Sequence, residues 1–184
     1  MNSTFNPKIV IITGNEKVGK SQLCSALLKR IAHSGMRITG LISKLVLKDG
    51  KPYAINAINL YSNDTVELAR FKPGWDSSKP KRKWKFNNSA FSWGNNVLEN
   101  AVPTDILIID EIGYQELENH QGWNSCFPIL EQGDFQTAII VVRSELINRA
   151  VDFWKKSKII EVKENSNYES LINQTLKIIL NNEN

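Results

Sequence analysis

The stretch Gly14-Asn15-Glu16-Lys17-Val18-Gly19-Lys20-Ser21 constrains this chain more than any other. It fits G-x-x-x-x-G-K-[ST], the pattern of a loop that wraps phosphate groups. Its flanks are the ones that pattern requires. Lys8 to Thr13 is a short β-branched run that reads as a buried parallel strand, and Gln22 to Ile31 has helical spacing with Leu23, Leu27 and Ile31 on one face. In a strand-loop-helix unit, Gly14 and Gly19 let the backbone curl until successive N–H groups point inward, and the helix N-terminus adds positive potential there. Lys20 then supplies a point charge for the outer phosphates, and the Ser21 hydroxyl is suited to magnesium. We therefore expect Gly14 to Gln22, including Asn15, Glu16, Lys17 and Val18, to bind the phosphates of a nucleotide. A plain Gly-rich turn capping a helix is the alternative. It does not account for a lysine and a hydroxyl placed together at the helix start.

A second stretch answers the first. Ile106-Leu107-Ile108-Ile109-Asp110-Glu111 is an apolar run ending in two acids, as in a buried parallel strand whose C-terminal edge presents carboxylates to a ligand. Asp110 is expected to share a magnesium ion with Ser21. Glu111, directly after it, has the placement needed to orient and polarise a water for in-line attack on a phosphoryl group. A strand that merely ends in solvated acids is the bland reading, and the phosphate loop argues against it.

Between these stretches the α/β alternation is interrupted. Met36 to Ser43 reads as a strand running on through Lys44 to Lys48, and Asp49-Gly50 precedes another strand-like run from Tyr53 to Leu60. Asp-Gly between such runs signals a tight hairpin turn. Val66 to Phe71 reads as one more short strand, followed by a loop-like segment. Arg70 to Phe86 holds seven Lys or Arg against Asp76 alone, so this segment carries +6 of the net +4 and leaves the remainder at −2. Such a segment is either a solvated linker or a lid. Later runs predict a helix from Asn88 to Asn100, a helix from Trp123 to Leu130, a strand from Thr137 to Arg143 and a helix from Glu145 to Lys155. A strand from Lys158 to Val162 and a helix from Tyr168 to Leu180 close the pattern.

At 184 residues and 41% hydrophobic content, the chain suits one domain, residues 1–184, with a hairpin insertion over 44–60 and the basic loop or lid over 70–86. No apolar run approaches a membrane span, and the N-terminus lacks the regions of a signal peptide, which makes the cytoplasm the expected location. Cys24 and Cys126 fall in apolar patterns and read as free buried thiols.

With both motifs placed, the sequence resembles the P-loop nucleoside triphosphatases of the THEP type, also called cancer-related nucleoside triphosphatases. The more specific likenesses are Gly40-Leu41-Ile42-Ser43 leading into the Asp49-Gly50 hairpin, similar to the family's Gly-Phe-Tyr-Thr segment, and Asp110-Glu111-Ile112-Gly113 followed by Glu116-Leu117. The resemblance implies an α/β, three-layer P-loop fold of the RecA-like, additional-strand type, with a mostly parallel central sheet. It also implies slow, magnesium-dependent hydrolysis of several nucleoside triphosphates. Relatives carry an arginine before their lid-like loop, where Arg70 stands here. The chain departs from them at Asn15-Glu16-Lys17, at Gln22, at Tyr114-Gln115 and at Val142-Arg143.

Catalysis is thus expected from Lys20, Glu111 and a third cation, with Arg70 favoured, Arg143 next and Arg82 also considered. Two other classes compete. One is a phosphotransferase whose basic segment closes over an acceptor. The other is a slow, nucleotide-gated accessory protein that docks on a partner or RNA through the basic segment, with Trp75 and Trp84 stacking on bases. Direct nucleic-acid function is the weaker of these, because the basic residues form one segment on an otherwise slightly acidic chain.

Overall fold

The computed structural model describes residues 8–72 and 84–180. The middle of the basic segment, with Trp75 and Arg82, lies outside them, and so does any lid there.

Eight strands form one sheet in the order β5-β4-β3-β2-β6-β7-β1-β8. They are β1 (Lys8–Gly14), β2 (Ile38–Lys48), β3 (Lys51–Asn59), β4 (Thr65–Phe71), β5 (Trp84–Phe86), β6 (Thr104–Ile112), β7 (Phe135–Arg143) and β8 (Lys158–Glu161). The helices are α1 (Lys20–Ile31), α2 (Asn88–Glu99), α3 (Tyr114–Leu117), α4 (Cys126–Gln132), α5 (Ile147–Phe153) and α6 (Tyr168–Leu180). From β2 through β6, β7 and β1 to β8 all pairings are parallel, whereas β3, β4 and β5 are added antiparallel beyond β2. β7 lies between the strand that feeds the phosphate loop and the strand that carries the two acids. This is the additional-strand arrangement the sequence resemblance implied.

The apolar runs in β1, β6 and β7 are continuous because both faces of these strands are covered. Side chains alternate across a sheet, so neighbouring residues enter different cores. Ile11, Leu107, Ile109, Ala138 and Ile140 pack in one core with Leu98 of α2, Cys126 of α4 and Ala150 of α5. Val10, Ile12, Ile106, Ile108, Ile139 and Val141 pack in the other with Leu23 and Leu27 of α1 and Ile172 and Ile179 of α6. Three layers follow, with α1 and α6 the helices on one side among the described residues.

The structure adjusts several expected boundaries. Helix α1 begins at Lys20, inside the glycine motif, because its first N–H groups belong to the phosphate-binding turn. Trp84 and Lys85, expected in a loop, pair with Phe71 and Arg70 as β5, and the Trp84 ring meets Phe71 edge-on with centroids 5.4 Å apart. The helix expected from Trp123 spans Cys126–Gln132, with Trp123 buried ahead of it. A single 3-10 turn, Ser144–Leu146, precedes α5 and shortens the helix expected from Glu145. Cys24 and Cys126 are free and buried. Among the described residues, no helix is long and apolar enough to cross a membrane.

Candidate functional site

The phosphate loop leaves β1 at Gly14 and enters α1 at Lys20. Gly14 (φ 147°), Lys17 (φ 64°) and Gly19 (φ 94°) take left-handed backbone conformations, which supply the tight curl. Lys20 is buried, and its Nζ donates to the carbonyls of Gly14 and Asn15, both at 2.8 Å. The lysine thus lies folded along the inside of the loop. Asn15, Glu16, Lys17, Ser21 and Gln22 are exposed, and Val18 is half-buried.

Strand β6 brings the acids up to this loop. The Ser21 hydroxyl donates to Oδ1 of Asp110 at 3.3 Å, across 89 positions of sequence. The β6–β7 pairing shifts register between Ile109 and Ile112, which leaves Asp110 and Glu111 outside the regular ladder. The peptide joining them is cis. Consecutive residues on a regular strand face opposite sides, and a register shift of this kind re-aims side chains near a site. Asp110 turns toward Ser21, and Glu111 turns toward β7, where it accepts from Nε of Arg143 at 2.7 Å. Ser43 supports the same corner by donating from its hydroxyl to the Asp110 carbonyl at 2.8 Å.

The electrostatics of Asp110 are unusual for an acid. It is 2% exposed, and burial pushes its carboxyl up to about 7, with the neighbouring Glu111 charge adding to the rise. The Ser21 hydroxyl, the Ser43 backbone and Lys20 pull in the other direction without cancelling it. Burial disfavours the charged form of this carboxyl, and a cation beside it would favour that form. A hydroxyl and a carboxylate are hard oxygen donors, the type that suits magnesium. Among the described residues, no cluster of three or more His, Cys, Asp or Glu could hold a metal, so an ion at Ser21 and Asp110 would take its other ligands from phosphate oxygens and water. These residues fit a divalent cation of that kind.

The two arginines favoured for the third cation stand in different places. Arg143, at the end of β7, bridges Glu111 and Glu16, with its second contact at 2.8 Å, and the adjacent Ser144 hydroxyl donates to Asn15 at 2.8 Å. Arg70 is elsewhere. It sits on β4, with β3, β2, β6 and β7 between it and β1. Its guanidinium pairs with Glu67 and lies 4.0 Å from the centre of the Tyr53 ring. No contact joins it to the phosphate loop among the described residues. The reason is local: a carboxylate three positions away and a neighbouring ring satisfy it where it stands.

Glu116 is structural. Its buried carboxylate accepts from the N–H groups of Gly113 and Trp123, both at 2.8 Å, and so holds the turn after β6. Sequence reasoning gave no part in the site to Ser43 or Ser144, whose partners lie 67 and 129 positions away.

The comparisons with known proteins agree with this geometry. A family model described as NTPase matches residues 9–176. The chain belongs to the THEP-type NTPase family. Over 113 residues, it is 27% identical to the nucleoside-triphosphatase THEP1 of Methanocaldococcus jannaschii, covering 61% of this chain and 65% of that protein. It is 23% identical over 137 residues to the protein of the same name from Methanosarcina barkeri, covering 73% and 76%. The match to the first of these spans just under two thirds of that relative's length. The solution structure of a human cancer-related nucleoside triphosphatase superposes with a TM-score of 0.74 at 19% identity, over 96% of this chain and 100% of that one. The crystal structure of THEP1 from the hyperthermophile Aquifex aeolicus does so with a TM-score of 0.69 at 18% identity, over 94% and 99%. These two structural matches establish the family's fold for this chain.

Proposed function

We propose that this chain hydrolyses nucleoside triphosphates to diphosphate and phosphate, by in-line attack of a water that Glu111 orients. The observation that carries the reading is the meeting of Ser21 and Asp110 at 3.3 Å, which joins the phosphate loop to the acidic strand in one site. Family membership and relatives named nucleoside-triphosphatase support the same class.

Each residue then has a task that its surroundings favour. Lys20 would exchange the Gly14 and Asn15 carbonyls for the outer phosphate oxygens, contacts between opposite charges in place of contacts to neutral carbonyls. Ser21 and Asp110 would hold magnesium. When bound, the ion offsets charge on the β and γ oxygens. Glu111, one third exposed and next to Asp110, acts as the acceptor of the water's hydrogen bond in this reading. Arg143, already at the site, is the third cation in this reading. A triphosphate would compete with Glu111 and Glu16 for its guanidinium, so nucleotide binding frees Glu111 for water. For Arg70 to serve instead, it would have to leave Glu67 and Tyr53.

Phosphate release, measured with each nucleoside triphosphate with and without magnesium, tests the proposal. Magnesium-dependent release by the parent protein, lost in Glu111→Gln, is the expected result. Nucleoside diphosphate formed only with an added metabolite acceptor, and without free phosphate, would favour phosphotransfer, and phosphate release only with RNA would favour the gated accessory role.

A further inference from the structure

The two glycines of the phosphate loop face one stretch of chain, from the end of β8 to the start of α6. A Cβ on Gly14 would stand 2.3 Å from the carbonyl oxygen of Val162, and a Cβ on Gly19 would stand 1.8 Å from the hydroxyl of Tyr168. Val162 lies in the segment that joins β8 to α6, and Tyr168 is the first residue of α6. This connection forms the back wall of the loop, and hydrogen bonds brace it. The Val162 N–H donates to the Thr13 carbonyl at 2.8 Å, and the Lys163 N–H donates to the Ser166 hydroxyl at 2.8 Å. Asn167 opens α6 by accepting from the Ser170 N–H at 3.1 Å, and Arg30 of α1 holds Glu169 through two contacts at 2.8 and 2.9 Å.

From this wall the Tyr168 hydroxyl donates to the Val18 carbonyl at 2.6 Å. That carbonyl shares its peptide group with the N–H of Gly19. In a trans peptide the two point in opposite directions. Holding the Val18 carbonyl out toward α6 therefore holds the Gly19 N–H in toward the space where a phosphate would sit. Glycine, with no Cβ, is the residue that most readily lets such a peptide turn over. The Tyr168 hydroxyl opposes that turn.

We infer that Tyr168 is a positioning residue of the phosphate site, which acts through the Val18–Gly19 peptide to keep one of the loop's donors aimed at phosphate. This rests on the reading of residues 14–21 as a phosphate loop. It adds a partner 150 positions away that the motif does not contain.

Tyr168→Phe removes the hydroxyl and keeps the ring packed. In the full chain, calorimetry with inorganic tripolyphosphate and with a non-hydrolysable nucleoside triphosphate analogue should show both binding about tenfold more weakly, the upper range for loss of one hydrogen bond. The KM for triphosphate should rise by a similar factor while kcat stays within about twofold. The amide resonance of Gly19 should shift on adding tripolyphosphate to the parent and shift less at saturation in the variant. Unchanged affinity for both ligands, with a full Gly19 response, overturns the inference and leaves the phosphate loop standing. A loss confined to the nucleoside triphosphate also overturns it, because the hydroxyl would then act on the nucleoside. A parent that binds neither ligand sinks the phosphate-loop reading and this inference with it.

Discussion

Replacing Asp110 by asparagine should make the ligand-free protein more stable while weakening the cation binding proposed for Ser21 and Asp110. The carboxyl is 2% exposed and burial moves it from its ordinary 3.8 to about 7. At about 1.36 kcal/mol per pH unit, this corresponds to about 4 kcal/mol of stability lost when the group is ionised in the folded chain. The sign follows from proton counting. Between pH 4 and pH 7 the folded state holds a proton at Asp110 that the unfolded state has released, so this group makes stability fall as pH rises through that window and level off above it. Asparagine keeps an acceptor for Ser21 and has no charge to bury. In urea unfolding with a chelator present, the variant's advantage should therefore widen by about 2–3 kcal/mol between pH 5 and pH 8. Groups that titrate alike in both proteins cancel from this difference. Adding magnesium and a non-hydrolysable triphosphate analogue at pH 8 should stabilise the parent and do far less for the variant. A constant difference across the two pH values would refute the burial reasoning, and an equal response to magnesium and analogue would refute the metal site.

Other predictions concern the chemistry. Lys20→Ala should weaken triphosphate binding by about tenfold or more in calorimetry, since one charge-assisted contact is worth roughly 1.5–3 kcal/mol; unaltered affinity would remove Lys20 from the site. Glu111→Gln should retain nucleotide affinity and lose at least ~10²-fold in turnover, and a parental rate would show that another group orients the water. Arg143→Ala should slow turnover by ~10³-fold in steady-state assays, with Arg70→Ala close to the parent. The reverse order would mean that Arg70 leaves Glu67 and Tyr53 during the reaction.

The strands that matter most were legible because their patterns are local. Runs such as Ile9 to Ile12 and Ile106 to Ile109 have no polar position to spare, which forces them to be covered on both faces, and Asp49-Gly50 carries its own turn chemistry. Trp84 and Lys85 have loop-like sequence because a three-residue edge strand has no periodicity of its own. They are a strand only because β4 is beside them. Tyr168 likewise looks like any first residue of an amphipathic helix.

Phosphate chemistry was written into consecutive residues: a glycine, lysine and hydroxyl at the start of a helix, and two acids at the end of a buried strand. Backbone curl and charge at those places depend on neighbours one to eight positions away, and a linear reading suffices for them. Which arginine joins them is a different kind of question. Arg70 and Arg143 both stand at or next to strand ends, and although Glu67 lies three positions before Arg70, the linear pattern does not say which of the two reaches the phosphate loop. The order of strands gives them different surroundings: β7 lies beside β1, and Arg143 meets Glu111 and Glu16, whereas β4 lies beyond β3 and its arginine meets Tyr53 and Glu67. Side-chain charge acts over a few ångströms, and only folding determines which distant residues come within that range.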